Sequence, residues 1–246
     1  RGLGSTKSVR ALADNGGKGA LVIRPKPMAA ASVGNPLRSA LEPAGLVELL
    51  SAKTLVFFLD YDGTLAPIVN EPERAFISDE TREVVRALSK AHPVGMISGR
   101  SNEKLKAFLK IGGLYLAGSH GVDIIGPDGD TLDGPDPQKR VGPGAIEALR
   151  AAKTALDVAL GDVAGYLTED NVYCITAHYR QVDPSDHERV RTTVQDVLKG
   201  QPLLRHKEGK MVHELRPAVD WDKGKAVEWL LQLLQAASPA VPLCPV

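Results

Sequence analysis

The stretch Thr54-Leu-Val-Phe-Phe-Leu-Asp60-Tyr-Asp62-Gly-Thr64-Leu65 combines an apolar run with two acids that directly follow it. Its apolar run, residues 55–59, is typical of a strand buried on both faces of a parallel sheet. Two acids follow where this strand ends, and ligands of open α/β sheets bind at the carboxyl ends of the strands. Asp-Gly is also typical of a hairpin turn, but residues 66–68 do not begin a second, alternating strand.

The carboxylates of Asp60 and Asp62 repel each other, and a hard divalent cation would offset that repulsion. Mg²⁺ suits such a site because it binds few protein carboxylates together with phosphate oxygens of a substrate. With the cation in place, one acid can attack phosphorus as a nucleophile while the other handles the proton. The stretch therefore predicts an Mg²⁺-dependent site for phosphoryl transfer.

Length and composition exclude several classes of protein. The chain has 246 residues, 43% of them hydrophobic, which is enough for one large or two modest cores. Lys and Arg together number 30, as do Asp and Glu, so no overall charge favours nucleic acid or a membrane surface. No apolar run is long enough to span a bilayer. Cys174 and Cys244 match no metal-binding spacing, which indicates a reducing compartment.

The first 45 residues are rich in Gly, Ala, Ser, Pro and basic residues. We expect residues 1–45 to form a disordered arm or a targeting segment. Acids are scarce up to Leu41, as in a transit peptide. The expected location is the cytoplasm, or a plastid if this arm is a transit peptide.

After the first strand, helices and short buried strands alternate. A helix capped by Ser78 or Asp79 would bury Val84, Val85 and Leu88. Next come a strand, a helix, a strand and a short hairpin strand, predicted at 94–97, 102–110, 114–117 and 122–125. This alternation is typical of a parallel sheet with crossover helices.

Beyond a loose, proline-rich hinge at 134–144 the pattern changes. Two helices are predicted, at 145–160 and 186–199. Four strands are predicted: two within 165–179, and two around a Glu208-Gly209 turn at 203–204 and 211–215. Two helices on one antiparallel sheet would make an inserted module, after which a helix at 226–236 returns to the core.

The predicted fold is therefore α/β: a Rossmann-like parallel-sheet core with an inserted α+β cap domain. The core would comprise residues 46–140 and 217–246, and the cap domain residues 141–216.

Polar residues at other element ends complete the predicted phosphate site. Ser98-Gly99-Arg100 ends the second strand, where a hydroxyl, backbone amides and a helix N-terminus would cradle a phosphate. Lys223 begins a helix expected beside the first strand, where it would balance the charge of the nucleophile and of the phosphoryl group. Lys225 is expected to be a solvated surface residue.

The inserted module gathers charged and polar residues that would suit a polyhydroxylated ligand and would equally suit an ordinary solvated face. They are Glu169, Asn171, His178, Arg180, Lys210, Glu214 and Arg216.

Six segments, in order, resemble those of the trehalose-6-phosphate phosphatases of the haloacid dehalogenase-like superfamily. The segments are 59–68, 98–100, 118–121, 177–180, 209–217 and 220–224. The first indicates only the superfamily, whereas His178-Tyr-Arg180 and Glu214-Leu-Arg-Pro217 point to this phosphatase family. The stretch Arg74-Ala-Phe-Ile-Ser-Asp79 looks most like plant or algal versions.

The resemblance implies hydrolysis of trehalose 6-phosphate to trehalose and phosphate, the last step of trehalose biosynthesis, with Mg²⁺ as cofactor. Asp60 would be the nucleophile that forms an aspartyl-phosphate, and Asp62 would act first as acid and then as base. Asp60 and the backbone carbonyl of Asp62 would bind Mg²⁺, while Ser98 and Lys223 would hold the phosphoryl group. The partner would be this small-molecule substrate, without nucleic acid or membrane, and the protein would be a monomer.

The resemblance also implies contacts to the disaccharide from Glu169, Arg180, Lys210 and Glu214, which match family residues in type and spacing. Asn171 stands where some relatives carry lysine. The full set of expected substrate-binding residues is Ser98, Gly99, Arg100, His120, Glu169, Arg180, Lys210 and Glu214.

The carboxyl end departs from the family pattern. The family continues past a Pro-Val run into a strand ending in Gly-Asp-Asp and then Thr-Asp-Glu-Asp, an acidic motif that completes the Mg²⁺ site. This sequence ends at Val246, before such a motif. We therefore expect the chain to lack a sheet strand and to be weakly active or inactive.

The alternative from another class is a non-catalytic sugar-phosphate-binding or regulatory protein, which keeps the cap and the phosphate cradle without a complete metal site. Sucrose-phosphate phosphatase and phosphomannomutase share the first motif, but their cap signatures are not found in this sequence.

Overall fold

The structure of the protein is a computed structural model that describes residues 54–130, 132, 137–239 and 243–246. Contacts divide the chain into two units, and the larger one is Phe57–Val227. The described residues of the smaller unit are 54–56, 228–239 and 243–246. The expected arm, residues 1–45, lies outside the described residues.

Helices and strands alternate through the first half of the larger unit. They are β1 (Thr54–Asp60, which begins in the smaller unit), α1 (Asp79–Ala91), β2 (Val94–Ile97), α2 (Asn102–Leu109), β3 (Tyr115–Gly118) and β4 (Asp123–Ile125). β1, β2 and β3 pair in parallel and β4 pairs antiparallel with β3, so the strand order is β4-β3-β2-β1. The predicted Rossmann-like core is confirmed.

Helix α1 begins at the predicted cap, where the backbone N–H of Thr81 donates to Oγ of Ser78 at 3.0 Å. Val85 is 2% exposed, whereas Val84 is 62% exposed. The prediction that Val84 belongs to the buried stripe is wrong. Neighbouring residues of a helix point about 100° apart, and here only Val85 of the two faces the sheet.

The second half of the larger unit builds a separate antiparallel sheet. Its elements are α3 (Pro137–Val141), α4 (Ala145–Leu160), β5 (Leu167–Asp170), β6 (Ile175–His178), α5 (His187–Lys199), β7 (Leu204–Gly209) and β8 (Val212–Pro217). The strand order is β5-β6-β8-β7, and residues of α4 and α5 such as Leu156 and Val190 form one core with Leu215 of β8. This is the predicted α+β cap domain, while its bounds at residues 141 and 216 stay a prediction.

Two segments differ from the expectation. Residues 137–141 of the expected hinge form the short helix α3, whereas residues 133–136 lie outside the described residues. The turn between β7 and β8 is Lys210-Met211 rather than Glu208-Gly209, because Gly209 pairs with Val212 in the ladder. Lys210 therefore lies in a hairpin turn.

The described part of the smaller unit contains β9 (Leu243–Pro245), which pairs in parallel with Thr54–Val56 of β1. The expectation that the chain lacks a sheet strand is wrong, because β9 pairs with β1. The last helix, α6 (Lys223–Ala237), begins in the larger unit. Among the described residues, no helix combines the length and apolar character needed to cross a membrane.

Candidate active site

Asp60, the last residue of β1, and Lys223, the first residue of α6, form an ion pair. Nζ of Lys223 donates to Oδ1 of Asp60 at 2.6 Å, and the two side chains are 39% and 44% exposed. A ligand can therefore reach the Asp60 carboxylate from solvent. The ammonium group lies where it can stabilise negative charge on a phosphoryl group bound to Asp60.

The start of α6 reaches β1 because it packs closely against the loop that follows β3. A Cβ atom on Gly121 would lie only 2.3 Å from Cβ of Ala226, and Gly121 has φ +86°. The indole Nε1 of Trp221 donates to the carbonyl oxygen of Gly121 at 2.7 Å. Only glycine fits this position, so Gly121 sets how closely the helix that carries Lys223 can approach.

Asp62 is held by Arg100, which follows β2. Nε of Arg100 lies 3.1 and 3.0 Å from the two carboxylate oxygens, and a terminal nitrogen donates to Oδ1 at 2.7 Å. Burial lowers the pKa of Arg100, but its bonds to Asp62 outweigh burial and raise the pKa above the ordinary value. The guanidinium also lies over the rings of Tyr61 and Phe108, 5.5 and 4.8 Å from their centres. A fixed, charged arginine thus orients the Asp62 carboxylate.

The end of β2 has the features expected of a phosphate cradle. Ser98 is fully buried, and its Oγ accepts the backbone N–H of Arg100 at 3.1 Å. A Cβ atom on Gly99 would lie 2.7 Å from Cε1 of His120, so a glycine is needed for this ring to pack against the strand end. Helix α2 begins at Asn102, and its N-terminus supplies further N–H groups at the same edge.

His120 links the core sheet to the cap sheet. Its backbone N–H donates to the carbonyl oxygen of Ser98 at 2.8 Å. Nε2 lies 3.2 Å from Oε1 of Glu214, close enough for an ion pair when the ring is protonated but off the line of a hydrogen bond. Burial lowers the pKa of His120 and outweighs the opposite effect of Glu214.

Two partly buried carboxylates lie on the face of the cap sheet that α4 and α5 leave uncovered. Glu169 of β5 and Glu214 of β8 both pair with Thr176 of β6, so all three side chains point to the same face. Burial raises the pKa of Glu214, but His120 and Arg216 outweigh burial and lower it to about 2.

The pKa of Glu169 is lowered in the same way as that of Glu214. Nζ of Lys104 donates to Oε1 at 2.6 Å, and Nε2 of His178 lies 3.0 Å from Oε2. Burial raises the pKa of Glu169, but His178 and Lys104 outweigh it and lower the pKa to about 2. Both cap carboxylates are therefore ionised at neutral pH and can accept hydrogen bonds from sugar hydroxyls.

Arg180 and Lys210 lie apart from these carboxylates. A terminal nitrogen of Arg180 donates to the carbonyl oxygen of Lys210 at 2.8 Å, in an exposed position. Within the described residues, no bond joins either side chain to Glu169 or Glu214. The contacts join the remaining predicted site residues in three groups: Asp62, Arg100, Ser98, Gly99, His120 and Glu214; Asp60 and Lys223; and Glu169 with Lys104 and His178.

Lys104 is a site residue that the sequence analysis missed. It lies on α2 and binds both Glu169 of the cap and Glu73, the latter at 3.0 Å. Nothing in the sequence distinguishes it from Lys106, a lysine on the same amphipathic helix. Asn171, by contrast, is only 3% exposed, and its carbonyl oxygen accepts the hydroxyl of Ser119, so its role in the structure is to join the cap to the loop after β3.

Solved structures share this fold. The C-terminal domain of the trehalose-6-phosphate phosphatase of C. albicans matches with a TM-score of 0.65 and 23% identity, over 77% of this chain and 66% of that one. A trehalose-6-phosphate phosphatase related protein matches with a TM-score of 0.59 and 20% identity, over 72% of this chain and 73% of that one. These matches show that the chain has a haloacid dehalogenase-like fold with a cap domain.

Sequence comparison identifies the family. The trehalose-phosphatase family model matches residues 58–244. Probable trehalose-phosphate phosphatase 2 of Oryza sativa subsp. japonica is 40% identical over 208 residues, 77% of this chain and 53% of that protein. Trehalose-phosphate phosphatase B of Arabidopsis thaliana is 36% identical over 192 residues, 77% of this chain and 51% of that protein. The chain belongs to the trehalose-phosphatase family and spans about half the length of these relatives.

Proposed function

We propose that this chain hydrolyses trehalose 6-phosphate through an aspartyl-phosphate on Asp60. The observation that carries the proposal is the 2.6 Å contact between Lys223 and Asp60 at the carboxyl end of β1, two residues before Asp62. Membership of the trehalose-phosphatase family and the names of the plant relatives support this substrate.

Phosphatases of this family use a divalent cation, and we propose Mg²⁺. The donor atoms fit, because Lys223 contacts one carboxylate oxygen of the partly exposed Asp60 side chain and leaves a second, while Asp62 adds a backbone carbonyl two residues later. Hard oxygen donors together with substrate phosphate oxygens are what Mg²⁺ prefers. When bound, the cation would offset the charge of the phosphate beside the two aspartates.

In the first half of the reaction, a carboxylate oxygen of Asp60 attacks phosphorus, and the bond from phosphorus to the 6-oxygen of the sugar breaks. Lys223 stabilises the charge on the phosphoryl oxygens. Asp62 gives a proton to the departing oxygen, so trehalose leaves as a neutral alcohol. For this step Asp62 must be protonated, and Arg100, which binds both oxygens of the carboxylate, must release one of them.

In the second half, a water molecule attacks the phosphorus of the aspartyl-phosphate. Asp62, now a carboxylate, takes a proton from that water, and phosphate leaves as the Asp60 carboxylate is restored. The contact between Arg100 and both oxygens of Asp62 matches this ionised state.

The cap would recognise the disaccharide through Glu169 and Glu214, whose ionised oxygens accept hydrogen bonds from hydroxyl groups. His120 and Gly99 lie where the phosphate cradle meets the cap sheet, which suits contact with the sugar nearest the phosphate. Arg180 and Lys210 would take part only if the β7–β8 turn moves toward the substrate.

Phosphate release from trehalose 6-phosphate tests the proposal. The purified chain should release phosphate when Mg²⁺ is present and should not release it when a chelator is added. Asp60→Asn should release no phosphate even with Mg²⁺. Sucrose 6-phosphate and glucose 6-phosphate should react much more slowly. Binding of trehalose 6-phosphate without any phosphate release would instead favour a sugar-phosphate-binding protein. The sequence led us to expect a weakly active or inactive chain, whereas the proposal here is that the chain is active, and the same assay decides between the two. A monomeric state and location in the cytoplasm or a plastid stay predictions.

A further inference from the structure

A group of side chains of the types that bind metal ions includes two residues of the proposed phosphatase site, His120 and Glu214. His120, Cys174 and Glu214 offer a nitrogen, a sulfur and a carboxylate oxygen within 4.8 Å of one another. In a tetrahedral zinc site the ligand atoms lie about 3.3–3.8 Å apart, so small side-chain rotations would close the group around an ion.

The cap sheet positions two of the three side chains. Glu214 pairs with Thr176 in the β6–β8 ladder, and Cys174 precedes Thr176 by two residues. Cys174 lies directly before β6, and its sulfur lies within 4.8 Å of the ligand atoms of His120 and Glu214. Cys174 is fully buried there, and its sulfur lies 3.9 Å from the hydroxyl of Thr176.

His120 provides independent evidence for a ligand. Its side chain is only 10% exposed, and Nε2 is buried and makes no hydrogen bond with any described residue. Nε2 faces the Glu214 carboxylate without an aligned hydrogen bond, and an ion held between the two groups would satisfy both of them. Its distance of 3.2 Å from Oε1 of Glu214 is close to the separation of two ligands of one ion.

We propose that His120, Cys174 and Glu214 bind one Zn²⁺ ion, with the fourth coordination position open to water. Mixed sulfur, nitrogen and oxygen ligands suit Zn²⁺, whereas the oxygen donors at Asp60 suit Mg²⁺. On binding, a Zn–S bond replaces the S–H bond of Cys174, and the thiol proton passes to solvent. His120 binds as the neutral imidazole.

Arg216 orients the Glu214 carboxylate, but its positive charge opposes the binding of a cation. It binds Oε2 of Glu214, which leaves Oε1 facing His120 and fixes the carboxylate in the manner of an outer-shell partner. Arg216 and Lys223 also act on His120 as positive charges. Both the Cys174 thiolate and the Glu214 carboxylate are therefore needed to offset the charge of the ion.

Zn²⁺ bound here should inhibit the phosphatase, a consequence that rests on the proposed function. His120 and Glu214 are proposed sugar-binding residues, and the ion would take the oxygen of Glu214 that a sugar hydroxyl requires. Zn²⁺ should therefore raise the KM for trehalose 6-phosphate, and excess Mg²⁺ should not relieve this effect because Mg²⁺ binds thiolate and imidazole poorly.

Zinc X-ray absorption on the wild-type chain loaded with one equivalent of Zn²⁺ tests the site without substrate. The expected shell has one sulfur at about 2.3 Å and the remaining ligands, nitrogen or oxygen, at about 2.0–2.1 Å. A shell without sulfur would overturn the proposal. It would place the ion elsewhere, for example at His206 and His213, whose ring nitrogens lie 3.0 Å apart.

Variants provide a second test with Co²⁺, which gives a charge-transfer absorption band when a thiolate binds it. Cys174→Ser should abolish the band and weaken Zn²⁺ binding at least about 10-fold. The matched controls Cys244→Ser and His206→Ala should keep both. Absence of the band from the wild-type chain would overturn the site even if the chain hydrolyses trehalose 6-phosphate. An inactive chain that keeps the band would overturn only the proposed function.

Discussion

Nζ of Lys223 lies 2.6 Å from Oδ1 of Asp60, although 163 positions separate the two residues in the chain. The pair forms because α6 begins at the edge of the sheet where β1 ends, and Gly121 allows the close approach. It places a fixed cation where negative charge would develop during the proposed phosphoryl transfer.

Lys223→Met should lower kcat/KM for trehalose 6-phosphate by about 10²–10³-fold, because it removes a charge that stabilises the transition state. The control is Lys225→Met, since Nζ of Lys225 bonds the carbonyl oxygen of Asp220, 3.1 Å away, rather than Asp60. Steady-state kinetics of both variants provide the measurement. Equal losses in the two would show that the contact with Asp60 has no catalytic importance.

Arg100→Gln and Arg100→Lys should each lower kcat by about 10²-fold, because Asp62 loses the fork that orients it for proton transfer. Lysine keeps the charge but cannot bind both carboxylate oxygens, so it should not restore activity. The loss should be smaller with p-nitrophenyl phosphate, whose leaving group needs little protonation. The same loss with both substrates would contradict a role of Arg100 through Asp62.

The sequence could predict β1, β2 and α4, and it could predict that Asp60 and Asp62 lie at the end of β1. Local apolar runs and strand ends determine these features. The ion pair of Lys104 with Glu169 could not be predicted, since it joins residues 65 positions apart. The proximity of Cys174 to His120 and Glu214 arises in the same way from sheet register and a loop conformation. The turn at Lys210-Met211 was missed because neither residue is a typical turn former, and Met211 has φ +63°.

Acid should destabilise the protein partly through Glu169. Its pKa is lowered from 4.5 to about 2 in the folded chain, so the unfolded chain binds the proton more readily. The resulting stabilisation is fully present above about pH 4.5 and is lost as the pH falls toward about 2, and it is of the order of 3 kcal/mol.

Urea unfolding from about pH 5 to about pH 2 provides the measurement for Glu169. The free energy of unfolding should fall more steeply in the wild-type chain than in Glu169→Gln. Glu73→Gln should follow the wild type, because Glu73 binds the same Lys104 but its side chain is 63% exposed. Parallel curves for wild type and Glu169→Gln would contradict the lowered pKa.

Gly121→Ala should lower the free energy of unfolding by about 1–3 kcal/mol or more, because the added methyl group meets Ala226 in a backbone conformation with positive φ. It should also reduce activity by displacing Lys223. Gly112→Ala is the control, since its methyl group would meet no atom within 4 Å. Thermal unfolding of the two variants should separate them, and similar melting temperatures would show that the loop adjusts freely.

The most direct test of the central claim is to trap the phosphoryl group on the protein during turnover. The chain is mixed with trehalose 6-phosphate and Mg²⁺, quenched in acid and reduced with borohydride, which converts an aspartyl-phosphate to homoserine, and then mapped by mass spectrometry. We predict homoserine at position 60 and unmodified aspartate at Asp62. Phosphate release with homoserine at any other position, or with none at all, would contradict Asp60 as the nucleophile.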